Sequence, residues 1–158
     1  MDFRGQASLS QHELESLLDV CAQASRIICE HYYGDDSRNL LLKKEDQTPL
    51  TLADIASHEI ISSGLSELTP DIPILAEESS PQGIATRRDW PRCWMVDPLD
   101  GTKEFLGGTG EFTINIALIE AKRPTVGIIY QPLRHLAYVG IDGLGAFEYR
   151  RGEGVWES

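Results

Sequence analysis

A chain of 158 residues, 41% of them hydrophobic and 25% charged, is long enough for one domain with a real core. Its 14 basic against 25 acidic residues leave a net charge of −11, which argues against a sequence-independent nucleic-acid binder and against docking on an anionic membrane. Met1 to Gln6 lacks an apolar stretch and no window of about eighteen apolar residues occurs, so neither a leader nor a transmembrane span is expected.

In chain order, Ser10-Gln11-His12-Glu13 has the spacing of a capping box, and Leu14, Leu17, Leu18, Cys21, Ser25, Ile28 and Tyr32 trace one helical face that Gly34 ends. Cys21 and Cys29 fall on that helix about 12 Å apart, too far for a disulfide. With Cys93 they make an odd number without Cys-x-x-Cys spacing, which suggests core thiols in a cytoplasmic protein. Leu40 to Leu42 predicts a short strand. Thr51-Leu52-Ala53-Asp54 opens a second helix that runs to about Leu68, where Thr69-Pro70 stops it. Ile72 to Ala76 reads as a strand delivering Glu77 and Glu78, and Ser79 to Asp89 as a polar connector.

The chain then reaches Trp94-Met95-Val96-Asp97-Pro98-Leu99-Asp100-Gly101-Thr102-Lys103. An apolar strand ends in two aspartates three residues apart; Pro98 pushes Asp97 toward extended backbone, and Gly101 permits a tight turn. Two anions about 5 Å apart repel by roughly 3 kcal/mol at an effective dielectric near 20, so a positive group is expected between them. Such a stretch is also an ordinary strand-ending turn. Beyond it, Glu111 to Glu120 alternates Phe112, Ile114, Ile116 and Leu118 on one side with Thr113, Asn115, Ala117 and Ile119 on the other. Turns at Lys122-Arg123-Pro124, Gln131-Pro132 and Asp142-Gly143 continue an antiparallel meander. The chain ends within strand-like sequence, so an unpaired edge is expected at Val155-Trp156. Helices first and strands after predict an α+β fold, with two N-terminal helices packed on a largely antiparallel sheet, in a single domain over residues 1–158.

Asp97, Asp100 and Glu77 each close a strand, so a sheet pairing those strands gathers three carboxylates at one edge. Hard oxygen donors without a His or Cys cluster suit magnesium rather than zinc. His12, His31, His58 and His135 show no metal-ligand pairing and read as ordinary surface or core residues. Gly101, Thr102 and Lys103 could meet a phosphate through backbone amides, hydroxyl and ammonium. Asp54 is equally well read as an acid favoured by the helix N-terminus.

Asp97-Pro98-Leu99-Asp100-Gly101-Thr102 resembles the signature of the inositol monophosphatase superfamily of magnesium-dependent, lithium-sensitive phosphatases. Lys103-Glu104-Phe105 resembles its 3′(2′),5′-bisphosphate nucleotidase (CysQ-type) branch. Asp46 to Asp54, Leu75-Ala76-Glu77-Glu78 and Gly110 to Leu118 agree with the same family in the same order, and the likeness runs from about Leu14 to the C-terminus. The resemblance implies the N-terminal domain of the family's layered fold. It also implies Glu77, Asp97, Asp100 and the Leu99 carbonyl as metal ligands, and two or three Mg2+ ions in the complete enzyme. Asp54, Glu77 and Thr102 would be catalytic, with Thr102 orienting the attacking water, and Gly101, Thr102 and Lys103 would bind substrate. The implied reaction is direct displacement, without a covalent enzyme intermediate, of phosphate from 3′-phosphoadenosine 5′-phosphate to leave AMP, a by-product clearance step of sulfate assimilation. The implied partner is thus a small phosphate ester rather than a nucleic acid, in the cytoplasm, with room for peripheral contact at the inner membrane face and for a homodimer.

Family members run to about 250 residues or more, and their second half carries a Trp-Asp motif that supplies another ligand. Trp90, Trp94 and Trp156 do not match it. The family's C-terminal α/β domain is therefore expected to be absent, and these residues alone are expected to fold but to hydrolyse bisphosphate nucleotides poorly. Two other functions fit the same residues: a phosphatase acting on inositol monophosphate or a sugar bisphosphate, which Lys103-Glu104-Phe105 disfavours, and a non-catalytic binding remnant.

Overall fold

Helix α1 (Gln11–Tyr33) starts where its capping box predicts: the Ser10 hydroxyl accepts from the Glu13 amide, and the Ser10 amide donates to the Glu13 carboxylate at 2.8 Å. These hydrogen bonds hold the Glu13 carboxyl below its ordinary value, the Ser10 side chain contributing most. Helix α2 (Leu52–Leu68) opens in the same way, with Thr51 as cap and Asp54 as reciprocal acid, and ends at Thr69 as expected. The two helices lie against each other, and Gly64 lets them approach closely, because a Cβ there would stand 2.5 Å from Val20 Cγ2. In this computed structural model, residues 9–34, 42–43, 49–76, 90–152 and 156–157 are described; Glu77 and Glu78 lie outside them.

Two short strands, β1 (Leu42–Lys43) and β2 (Pro49–Leu50), pair antiparallel ahead of α2. Among the described residues the main sheet has seven strands in sequence order: β3 (Ile74–Ala76), β4 (Arg92–Asp100), β5 (Thr113–Glu120), β6 (Arg123–Gln131), β7 (Leu136–Ile141), β8 (Gly145–Arg151) and β9 (Trp156–Glu157). β3 runs parallel to β4, and every later pair is antiparallel. The fold is thus α+β, with both helices on one face. That face carries Trp94 and Val96, Ile114, Ile116 and Leu118, Val126, Ile128 and Tyr130, and Val139 and Ile141, all buried against Leu14, Leu17, Leu18, Cys21 and Ile28 of α1 and Ile61 and Leu65 of α2. Burying side chains of this size is worth about 1.5–3 kcal/mol each relative to exposure, before the entropy of ordering them. Trp94 also donates its indole N–H to Thr69 Oγ1 at 2.8 Å, tying β4 to the end of α2.

Three local features depart from the sequence expectation. A third helix, α3 (Thr102–Gly107), follows the aspartate turn at once; its six residues are too few to show a helical period. Phe105 anchors it, fully buried between Tyr32 and Phe112 with ring centroids 5.5 and 5.3 Å away. The β5–β6 turn centres on Ala121 and Lys122, both left-handed at φ 47° and 66°, one position before the expected turn, so that Arg123 and Pro124 already belong to β6. Trp156, expected to be unpaired at an edge, pairs with Arg151 although β9 is the edge strand of the described sheet, and its indole N–H donates to Asp19 Oδ1 of α1 at 3.0 Å. A contact across 137 residues of sequence is outside the reach of local pattern.

Candidate active site

The site grows from an irregularity in the β4–β5 ladder. Asp97 pairs with Asn115, but Asp100 pairs with Thr113, so three steps along β4 match two along β5. In a regular strand, residues three apart point to opposite faces. The one extra residue in β4 is a bulge, and it returns Asp100 to the face that Asp97 already occupies. Both acids therefore share the face of Asn115 and Thr113, the one the helices leave open. Pro98, buried within the bulge, lacks the amide that a regular ladder would need there.

Hydrogen bonds to backbone and side chains hold the turn. The Leu99 amide donates to Asp97 Oδ1 at 3.3 Å, closing an Asx turn. Ser57, fully buried on α2, donates its hydroxyl to the Pro98 carbonyl at 2.8 Å. Asn115 donates its amide to Asp100 Oδ2 at 2.9 Å. Gly101 then turns left-handed at φ 88°, where a Cβ would lie 2.7 Å from the Glu111 carbonyl, so both its conformation and its surroundings demand glycine.

Asp54 serves two structures at once. Its Oδ2 accepts from the Thr51 amide at 2.8 Å and the Thr51 hydroxyl at 2.5 Å, completing the α2 cap. Its Oδ1 lies 3.4 Å from the Thr102 hydroxyl, which is also 3.3 Å from the Leu99 carbonyl. The capping role and a place beside the site are thus both realised in one carboxylate, itself only 4% exposed. Ser57 lies one helical turn beyond Asp54, so α2 meets the aspartate turn along one face.

Along residues 10–152 the chain matches the model of the inositol monophosphatase family. The chain belongs to that family. The 3′(2′),5′-bisphosphate nucleotidase CysQ of Escherichia coli K12 is 43% identical over 130 residues, which is 82% of this chain and 52% of that protein. The crystal structure of CysQ from Bacteroides thetaiotaomicron, a bacterial member of the inositol monophosphatase family, superposes with a TM-score of 0.76 at 38% identity. It covers 94% of this chain and 52% of that one. An IMPase/NADP phosphatase complexed with Mg2+ and phosphate shares the fold, with a TM-score of 0.67 at 23% identity over 80% of this chain and 46% of that one. The chain spans about half the length of the curated relatives it matches.

Within this member of the inositol monophosphatase family, Asp97, Asp100, Leu99, Gly101, Thr102 and Asp54 converge around the β4–α3 turn, while Lys103 stands exposed on the first turn of α3. Ala76 pairs with Val96, one position before Asp97; Glu77 lies outside the described residues. Among the described residues no group of three or more His, Cys, Asp or Glu converges as a metal cage. Asp97, Asp100 and the Leu99 carbonyl lie on one turn and offer only hard oxygens, a donor chemistry that suits magnesium. All three cysteines are free, and burial raises each thiol, Cys21 to about 12. No described helix is long and apolar enough to cross a membrane.

Sequence reasoning missed Ser57 and Asn115. The three-residue spacing from Asp54 and the alternation from Thr113 would have placed each on the relevant face, but neither pattern says that the turn lies within reach.

Proposed function

We propose that the chain carries the metal- and phosphate-binding part of a magnesium-dependent 3′(2′),5′-bisphosphate nucleotidase. Its substrate is adenosine 3′,5′-bisphosphate, hydrolysed to AMP and phosphate as clearance of a sulfate-assimilation by-product, in the cytoplasm and with the lithium sensitivity of its family. The observation that carries this reading is the β4 bulge that sets Asp97 and Asp100 on one face beside Thr102.

Asp97, Asp100 and the Leu99 carbonyl would hold magnesium, with Glu77 as a further ligand. When bound, the cation supplies Lewis-acid charge at the phosphoryl oxygens and the leaving oxygen. The chain supplies orientation. Thr102 directs its hydroxyl proton toward Asp54 or the Leu99 carbonyl, which leaves an oxygen lone pair to accept a hydrogen bond from the attacking water and align it. Asp54, already accepting two donors from Thr51, is the fixed acceptor on which this alignment rests. The first-turn amides of α3, including that of Thr102, have no acceptor within the helix and would meet phosphate oxygens. Lys103, exposed beside them, would bind the second phosphate and favour a bisphosphate over an inositol ring.

The test is phosphate release from adenosine 3′,5′-bisphosphate and from inositol 1-phosphate with magnesium. It compares these 158 residues with the longest protein the gene encodes. The longer protein is expected to prefer the bisphosphate, and these residues alone to run near background, since much of the substrate's positioning would be missing. Lys103→Thr should cost the bisphosphate about 1–2 kcal/mol more than the monophosphate. Preference for inositol 1-phosphate, or an equal loss on both substrates, would move the protein to a sister phosphatase.

A further inference from the structure

The resemblance assigns no role to Asn115, yet the structure sets it between the two acids. Its side-chain amide donates to Asp100 Oδ2 at 2.9 Å, while its backbone lies opposite Asp97 in the ladder. The amide is oriented in turn. Thr113, two residues earlier on the same face, donates its hydroxyl to Asn115 Oδ1 at 3.1 Å. A hydroxyl proton on the oxygen side and a carboxylate on the nitrogen side agree on a single orientation of the amide, so the chain Thr113 to Asn115 to Asp100 carries its polarity one way. Asp100 itself is exposed and sits next to Gly101, with little packing to fix its rotamer. Among the described residues, Asn115 is the side chain that holds it.

We propose that Asn115 is a positioning residue that commits one oxygen of Asp100 to the sheet and leaves the other for the cation, so that Asp100 ligates through one oxygen and the site prefers magnesium to calcium. The inference rests on reading Asp97 and Asp100 as cation ligands. The physical link is coordination chemistry. Magnesium demands six near-octahedral donors at short range and takes carboxylates through one oxygen, whereas calcium accepts more donors and favours two-oxygen carboxylates. A carboxylate with one oxygen already occupied suits the first ion and handicaps the second. Outer-shell hydrogen bonds of this kind change metal affinity by about 10- to 100-fold when removed. The bulge matters here too: without it Asp100 would point to the other face, out of reach of Asn115.

The test measures magnesium and calcium dissociation constants by calorimetry on the metal-free, full-length protein and its variants, with the metal-free melting temperature as a control on folding. Asn115→Leu, nearly the same size but without a donor, is expected to weaken magnesium about 10- to 100-fold and calcium distinctly less, so that the magnesium-to-calcium preference falls. Thr113→Val should move the preference the same way by a smaller factor, and Thr113→Ser, which keeps the hydroxyl, should restore it. Equal weakening of both ions, or wild-type preference in both Asn115→Leu and Thr113→Val, overturns the proposal while leaving the acids as ligands. Failure of the unaltered protein to bind either ion at millimolar concentration overturns the cation reading itself, and this inference with it.

Discussion

On one face of the sheet Trp94, Ile116, Ile128 and Val139 are at most 2% exposed, whereas on the other Met95, Ile129 and Tyr138 remain 51%, 49% and 43% exposed. These exposed residues are as large and apolar as the buried ones, although the open face also carries Thr113, Asn115, Gly127 and Gly140. On the open face Gly127, Ile129, Tyr138, Gly140 and Ala146 line a shallow, largely apolar hollow of about 670 Å3. What separates the faces is α1 and α2, which cover one and leave the other bare. The acids belong to the bare side: the bulge turns Asp97 and Asp100 onto it at the end of β4, while Ser57 and Asp54 hold the same turn from the covered side. A packed, covered layer thus positions a charged site at the border of an uncovered one.

The sharpest way to break this contrast is to truncate neighbours in β4. Trp94→Ala should cost about 3–5 kcal/mol, from lost transfer energy and cavity together, with the bond to Thr69 lost as well. Met95→Ala, one residue away and half exposed, should cost no more than about 0.5 kcal/mol. Urea unfolding of the two variants measures both, and comparable losses would mean that something covers the open face in solution.

Magnesium probes the charged edge of that face. Two acids held together repel, and a cation bound only by the folded state should stabilise it by about 2.7 kcal/mol at a hundredfold excess over its dissociation constant. Thermal melts with and without millimolar magnesium measure the shift, and a chelator should reverse it. Coincident melts would reduce the aspartate turn to a structural one.

Ile129→Lys tests the open face at its centre and should have the smallest effect on stability, within about 0.5 kcal/mol. Its signature lies elsewhere. A charge placed in the apolar hollow should lower concentration-dependent light scattering, and unchanged scattering would show that this face does not drive self-association.

Much of the architecture could be read locally. Ser10 with Glu13 and Thr51 with Asp54 marked both helix starts to the residue, because capping is a short-range exchange of hydrogen bonds between groups three positions apart. Apolar alternation marked the strands, and short turns dictated their meander order. Other features escaped the same treatment for reasons of range. Helix α3 is too short to display a period, and its anchor Phe105 is recognised only by the rings around it. The β9 strand depends on Asp19 at the far end of the chain.

The site divides along the same line. By itself the sequence determined which groups are available: two aspartates flanking a proline, a glycine that alone can make the turn behind them, a threonine and a lysine at the start of α3, and no competing histidine or cysteine cluster. It also determined the family, because those groups recur in order along most of the chain. Only the tertiary structure decided where they point. Residues three apart on a strand face opposite ways, and whether one extra residue is absorbed as a bulge depends on the register of β5 beside it, as does the reach of Asn115 to Asp100 and of Ser57 to Pro98. Alternation in β5, with Ile114, Ile116 and Leu118 opposite in direction to Thr113, Asn115 and Ala117, marks which face is buried, but that α1 and α2 are what cover it is settled only by tertiary contact.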